Sequence, residues 1–217
     1  MNIRLIIFDF DGTLCDTHGV IVATVLQTLQ ELHLPVATEE AITATIGLPL
    51  RECYRHYVPQ LDEATLDACE DTHHRLFDIN RRRIKPEVFP HVRESLLWLH
   101  EHGIKATVAS SRTSFSLHEL LSDLGLEQSF DYVLGAEDVV RPKPEPEPVL
   151  KTLAALDVSA AEALVVGDMP VDILMGRNAG TRTCGVTYGN ASRQQLEEAG
   201  ADFVIDDMEE LINTIRK

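Results

Sequence analysis

Leu5-Ile6-Ile7-Phe8-Asp9-Phe10-Asp11-Gly12-Thr13-Leu14 is the stretch that decides how this chain folds. Arg4 to Phe10 is short, apolar and rich in Ile and Phe, and it stops at Asp11-Gly12. Such a run, ended by a glycine-permitted turn, predicts a buried strand of a parallel sheet. The same shape recurs at Ala106 to Ala109 before Ser110-Ser111, at Tyr132 to Leu134 before Gly135, and at Ala163 to Val166 before Gly167-Asp168. It returns at Thr183 to Val186 and at Phe203 to Ile205 before Asp206-Asp207.

Helical patterns separate these runs. Val92 to His102 is stopped by Gly103, and Ser116 to Leu124 by Gly125. Pro146 to Leu156 and Pro170 to Asn178 follow loops, and Ser159/Glu162 and Ser192/Gln195 have capping-box spacing. Strand and helix alternate from about residue 90 onward, which predicts a doubly wound α/β sheet. Residues 17–84 break the rhythm with two long helical patterns, Val20 to Leu32 and Leu61 to Arg83, and no convincing strand. The expected organisation is a core domain of residues 1–16 and 85–217, with a small α-helical domain of residues 17–84 inserted.

Composition narrows the function. The chain has 217 residues, 44% hydrophobic and 25% charged, which suits one sizeable core with a smaller companion. Its 19 Lys and Arg against 35 Asp and Glu give a formal charge of -16, which counts against nucleic acid or an anionic membrane as partner. No apolar run approaches the roughly 20 residues of a membrane span. The N-terminus enters a strand pattern too quickly for a secretory signal, so a cytoplasmic address is expected. Cys15, Cys53, Cys69 and Cys184 are widely spaced and read as free, packed thiols. Cys15 is set apart only by its place beside the first motif, where redox sensitivity is the alternative to packing.

In open α/β sheets ligands bind beyond the carboxyl ends of the strands. Asp9 and Asp11 stand there one residue apart, on one side of an extended segment, and Asp168 stands at a second strand end. Carboxylates held together repel unless a cation or shared proton intervenes, and oxygen-only donors suit Mg²⁺. Ser110, Thr13 and backbone N–H groups of the Gly12 turn are candidate donors to phosphate oxygens, and Lys143 supplies fixed positive charge.

These motifs resemble those of the haloacid dehalogenase-like (HAD) hydrolase superfamily. The resemblance rests on Asp9-Phe10-Asp11-Gly12-Thr13-Leu14, Ser110, Lys143-Pro144 and Gly167-Asp168-Met169-Pro170-Val171-Asp172, and it runs through nearly the whole chain. The inserted helical block is similar to the cap of the phosphoglycolate phosphatase and β-phosphoglucomutase branch. The resemblance implies a HAD-like Rossmannoid core. It implies Asp9 as nucleophile forming an aspartyl-phosphate, and Asp11 as acid and base. It also implies Mg²⁺ on the Asp9 carboxylate, the Asp11 backbone carbonyl and Asp168, with Asp172 in support, and phosphoryl binding by Ser110 and Lys143. Gly12, Thr13, Ser111 and Arg112 join the expected phosphate and substrate contacts. Met169, where a small polar residue is usual, and Arg112, where Lys or Asn is common, depart from the pattern and are expected to affect only the pocket rim.

The implied activity is phosphate monoester hydrolysis on a small phosphorylated metabolite, phosphoglycolate first. Pyrophosphate, nucleoside monophosphates and sugar phosphates stay open, as do the monomer and small homo-oligomer. The absence of lysine from Thr17 to Ile84 removes the amine that phosphonate-cleaving relatives use, and with Ile21 at the matching histidine position it disfavours a mutase. Arg51 resembles a specificity-loop arginine able to fork a substrate anion, or else is a solvated residue at a helix start. Arg81-Arg82-Arg83 reads as a solvated face, and no histidine has metal-ligand spacing. A receiver-type phospho-acceptor is the rival from another class. Asp11 and the helical insertion both speak against it.

Overall fold

In the computed structural model, which describes residues 2–216, six parallel strands make one sheet. They are β1 (Leu5–Phe8), β4 (Lys105–Ala109), β5 (Tyr132–Leu134), β6 (Ala163–Gly167), β7 (Arg182–Val186) and β8 (Phe203–Ile205). Their spatial order is β5-β4-β1-β6-β7-β8, so the chain builds outward from β1 in one direction and then returns to build in the other. That reversal puts a crevice at the carboxyl ends of β1 and its neighbours.

Every residue of β1 is buried, because helices cover both faces of the sheet. Ile6 and Phe8 pack on one side with Leu96 and Leu99 of α5 (Val92–Glu101) and Leu117 and Leu120 of α6 (Ser114–Asp123). Leu5 and Ile7 pack on the other with Val149 and Leu153 of α7 (Glu147–Leu156) and Met175 of α8 (Pro170–Asn178). Alternate residues serve alternate layers, as strand geometry requires. Short α9 (Arg193–Glu198) and α10 (Glu210–Ile215) complete the layers; Ser192 and Gln195 form the expected capping box, while Ser159 Oγ donates to the Glu162 carboxylate.

Between β1 and α5 lies the helical block. It contains α1 (His18–Glu31), α2 (Glu39–Thr43), α3 (Leu50–Tyr57) and α4 (Glu63–Arg83). The sequence pattern shows α1 and α4 but not the two short helices. The block encloses its own apolar cluster, with Val25, Leu29, Ile42, Tyr54 and Leu66 buried. The chain enters and leaves it through a two-stranded antiparallel ribbon, β2 (Cys15–Asp16) against β3 (Glu87–Val88). All four cysteines are free and buried. Among the described residues no helix is long and apolar enough to cross a membrane.

Arg81 corrects the reading of the arginine triplet. Arg82 and Arg83 are exposed, but Arg81 is buried and pairs with Asp78, with Glu119 at 2.8 Å and with Asp123, the last two on α6. Folding brings those acids to it from a distant part of the chain, so it clasps α4 to the core.

Leu117 is fully buried between α6 and the sheet. Leu117→Ala is expected to lower stability by about 2–5 kcal/mol, read from the urea unfolding midpoint.

Candidate active site

The carboxyl ends of four strands build the site. Asp9 follows β1, Ser110 follows β4, Lys143 lies in the loop between β5 and α7, and Asp168 follows β6, with Asp172 in the first turn of α8. Asp9, Asp168, Asp172 and Lys143 are all buried. The Asp9 backbone N–H donates to the Val166 carbonyl at 2.9 Å, which extends the β1–β6 ladder by one residue and fixes where the carboxylate emerges.

Lys143 Nζ donates to Asp9 Oδ1 at 2.5 Å and to Asp172 Oδ1 at 2.7 Å. The Met169 N–H donates to Asp172 Oδ2 at 3.1 Å, so one aspartate caps the start of α8 and holds the lysine. Asp168 accepts from Thr13 Oγ1 at 3.1 Å, and from the Asn190 backbone N–H and Nδ2, both at 2.8 Å. Gly12 makes room for that arrangement. Its φ of +84° is the left-handed region, and a Cβ there would lie 2.2 Å from Asp168 Oδ2.

The charges are out of balance. Ligand oxygens of Asp9, Asp168 and Asp172 lie within 4.8 Å of one another, and one ammonium faces them. Burial raises the Asp9 carboxyl well above its ordinary range; Lys143 pulls it back, and Asp172, Asp168 and Asp11 push it up again. Burial, then Asp172, push Asp168 up to about 7 against the hydrogen bonds from Asn190 and Thr13. Burial disfavours the Lys143 ammonium, but Asp172 and Asp9 outweigh it and raise its pKa. Three buried carboxylates with oxygen donors only and too little positive charge fit a hard divalent cation such as Mg²⁺.

Asp11 differs from expectation. Its carboxylate is not one of the three clustered groups; it accepts from Thr17 Oγ1 at 2.5 Å and from Arg112 Nε at 2.7 and 2.9 Å. The guanidinium of Arg112 also lies over the Phe77 ring of α4, 4.3 Å from its centroid. Arg112 therefore touches the expected acid/base directly and is not a rim residue. Met169, the other departure, is buried and gives its backbone N–H to Asp172.

Several expected phosphate donors have other partners. The Gly12 N–H donates to the Cys15 carbonyl, Thr13 Oγ1 serves Asp168, and Ser111 Oγ donates to the Gly47 carbonyl of the helical block at 2.6 Å. Ser110 is as expected, with its Oγ accepting from the Arg112 N–H at 3.2 Å and its side chain beside Lys143 on a small cavity. Arg51 lines the main cavity, yet its guanidinium is taken by Glu63, Asp67 and Glu70 at 2.8, 2.7 and 2.5 Å. Those α4 acids answer the charge that was expected to meet a substrate anion. Cys15 is packed, and burial with nearby Asp11 pushes its thiol up, away from the reactive thiolate.

Asn190 was missed by sequence reasoning. The signal available was its place in Gly189-Asn190, just past the end of β7, where strand-end ligand sites gather.

Comparison with known proteins agrees with this geometry. The family model described as "Haloacid dehalogenase-like hydrolase" matches residues 6–186. "Probable phosphatase IndB" of Dickeya dadantii is 36% identical over 96% of this chain and 91% of its own length. "Pyrophosphatase PpaX" of Anoxybacillus flavithermus is 33% identical over 99% of this chain and 98% of its own. A solved haloacid dehalogenase-like protein of Bacteroides fragilis superposes with a TM-score of 0.90 at 28% identity, covering 96% of this chain and 99% of the other. With the strand-end aspartates, the lysine and the sheet order all in place, the chain belongs to the haloacid dehalogenase-like hydrolase family.

Proposed function

We propose that the protein is a Mg²⁺-dependent phosphatase that hydrolyses small phosphate monoesters through an aspartyl-phosphate on Asp9. The observation that supports this most is the Asp9 carboxylate, buried at the end of β1, held at one oxygen by Lys143 and set among two further carboxylates. The name of one relative, a probable phosphatase, agrees with it.

In the first half-reaction an Asp9 carboxylate oxygen bonds to phosphorus as the ester P–O bond breaks. Asp11 gives its proton to the departing alkoxide. In the second, water attacks phosphorus, Asp11 takes the water's proton, and the bond from phosphorus to Asp9 breaks to release phosphate. The Nε–H of Arg112 meets both oxygens of Asp11 and so fixes the orientation of that carboxylate. Lys143 and Ser110 hold phosphoryl oxygens in line for both displacements. Asp9, Asp168 and Asp172 are the residues that would hold Mg²⁺, which when bound neutralises charge on the transferring group. Residues 17–84 act as a cap that keeps bulk water from the site.

Pyrophosphate is the second reading, favoured by the relatives' names, because the same attack on phosphorus serves an anhydride.

Phosphate release from a panel of phosphate esters tests the mechanism. Asp9→Asn is expected to lose at least about 10³-fold in kcat, and Asp11→Asn about 10²–10⁴-fold. Full activity in Asp9→Asn overturns the assignment. Chelation with EDTA is expected to abolish turnover, and added Mg²⁺ to restore it.

The raised Asp168 carboxyl gives a pH dependence with a definite sign. Its folded pKa, about 7, lies above the ordinary value of 3.8, so between these values the metal-free fold holds a proton that the unfolded chain has lost. Asp168 therefore makes the metal-free fold less stable as pH rises through that window. Cation binding requires the ionised form, so Mg²⁺ is expected to raise the melting temperature more at pH 8 than at pH 5.5. A Mg²⁺ shift that is larger at pH 5.5 contradicts the assignment.

A further inference from the structure

The crevice at Asp9 and Asp11 opens into a cavity of about 680 Å³ between the helical block and the strand ends. This is the size of a pocket for an organic ligand, far more than inorganic phosphate or a two-carbon ester needs. Away from the aspartates its wall is largely apolar, with Ile21, Ile46, Leu48, Tyr57, Phe77 and Phe115 facing it.

The charged side chains of that wall decide what can enter. Glu52, Glu70, Asp78 and Glu137 add carboxylates beyond Asp9 and Asp11. Each arginine on the wall is already paired. Arg112 is held by Asp11, Arg55 by Glu63, and Arg51 by Glu63, Asp67 and Glu70. His73 is buried, its Nδ1 is 2.9 Å from the Tyr54 hydroxyl, and burial followed by His74 and Arg112 lowers its pKa to about 3, so it is neutral. His74 remains as a basic group without a carboxylate partner among the described residues.

A second anion on the substrate would have to leave water for an apolar, acid-rich wall. With every arginine on the wall paired and only the exposed His74 left to meet it, that transfer gains little. Capturing Arg112 instead would leave the buried Asp11 without its partner, and capturing Arg51 would give up its bonds to three acids of α4. A neutral, bulky group faces neither cost and gains by covering the apolar residues.

We infer that the site takes a phosphate monoester of a bulky neutral alcohol, of nucleoside or aralkyl size, in which the phosphate is the sole anionic group. This rests on the phosphatase reading above, and it separates the protein from relatives named for pyrophosphate.

The test compares kcat/KM for four substrates with the Mg²⁺-loaded protein. Uridine 5′-monophosphate and 2-phenylethyl phosphate carry neutral alkyl leaving groups; phosphoglycolate and pyrophosphate carry a second anion. The better neutral ester is expected to exceed both anionic substrates by at least about tenfold. Phe115, an exposed ring on the wall, allows a variant that leaves the core untouched. Phe115→Lys is expected to shift the ratio of 2-phenylethyl phosphate to phosphoglycolate at least about threefold toward phosphoglycolate. Asp9-dependent release that is fastest from phosphoglycolate or pyrophosphate overturns this inference and leaves the phosphatase reading standing. An unmoved ratio in Phe115→Lys removes this wall from leaving-group recognition and overturns it as well. Release that survives Asp9→Asn, or no release from any of the four, overturns both.

Discussion

Three carboxylates buried together, two at the ends of adjoining strands and one in the first turn of α8, are the constraint around which this molecule is arranged. Asp9, Asp168 and Asp172 are each at most 3% exposed, and their oxygens crowd together. Taking such charge out of water is costly unless partners replace the lost hydration. The partners come from far apart in the chain: Lys143 from the loop after β5, Thr13 from the β1 turn, Asn190 from beyond β7 and the N–H of Met169 at the start of α8. Backbone is drawn in as well. A Cβ on Gly12 or Gly189 would come within 2.5 Å of Asp168 Oδ2, so these positions exclude larger residues for the sake of one oxygen.

Scarcity of positive charge shapes the next shell. With 35 acids to 19 Lys and Arg, several arginines are surrounded by carboxylates and become points where elements are fastened. Arg81 binds α4 to α6, Arg51 binds α3 to α4, and Arg112 binds the loop after β4 to Asp11. The acidic excess thus reaches inside the fold. It also leaves each arginine on the wall of the large cavity paired with a carboxylate.

The strands and the primary aspartates were legible because their signals are local. Leu5 to Phe8 is an uninterrupted apolar run, and Asp9 and Asp168 stand where strands end. Partnerships across long separations were not. Arg112 and Asp11 are 101 positions apart, and nothing in either neighbourhood announces the other. Arg51 illustrates the same limit, since its loop resembles a substrate contact while α4 delivers the acids that occupy it. The helices α2 and α3 escaped for another reason. They have five and eight residues, too short for a clear period, and depend on packing around Ile42 and Tyr54.

Arg112 has one more property, which follows from having two unlike neighbours. Its Nε holds Asp11 of the sheet, while the flat face of its guanidinium rests on Phe77 of the helical block. Ser111, the preceding residue, is tied to Gly47 of the same block. The block is thus fastened to the strand ends at two adjoining residues, by a ring under the guanidinium and by a hydrogen bond from the serine. The block therefore reaches Asp11 by two routes, directly through Thr17 Oγ1 and indirectly through the guanidinium that Phe77 backs.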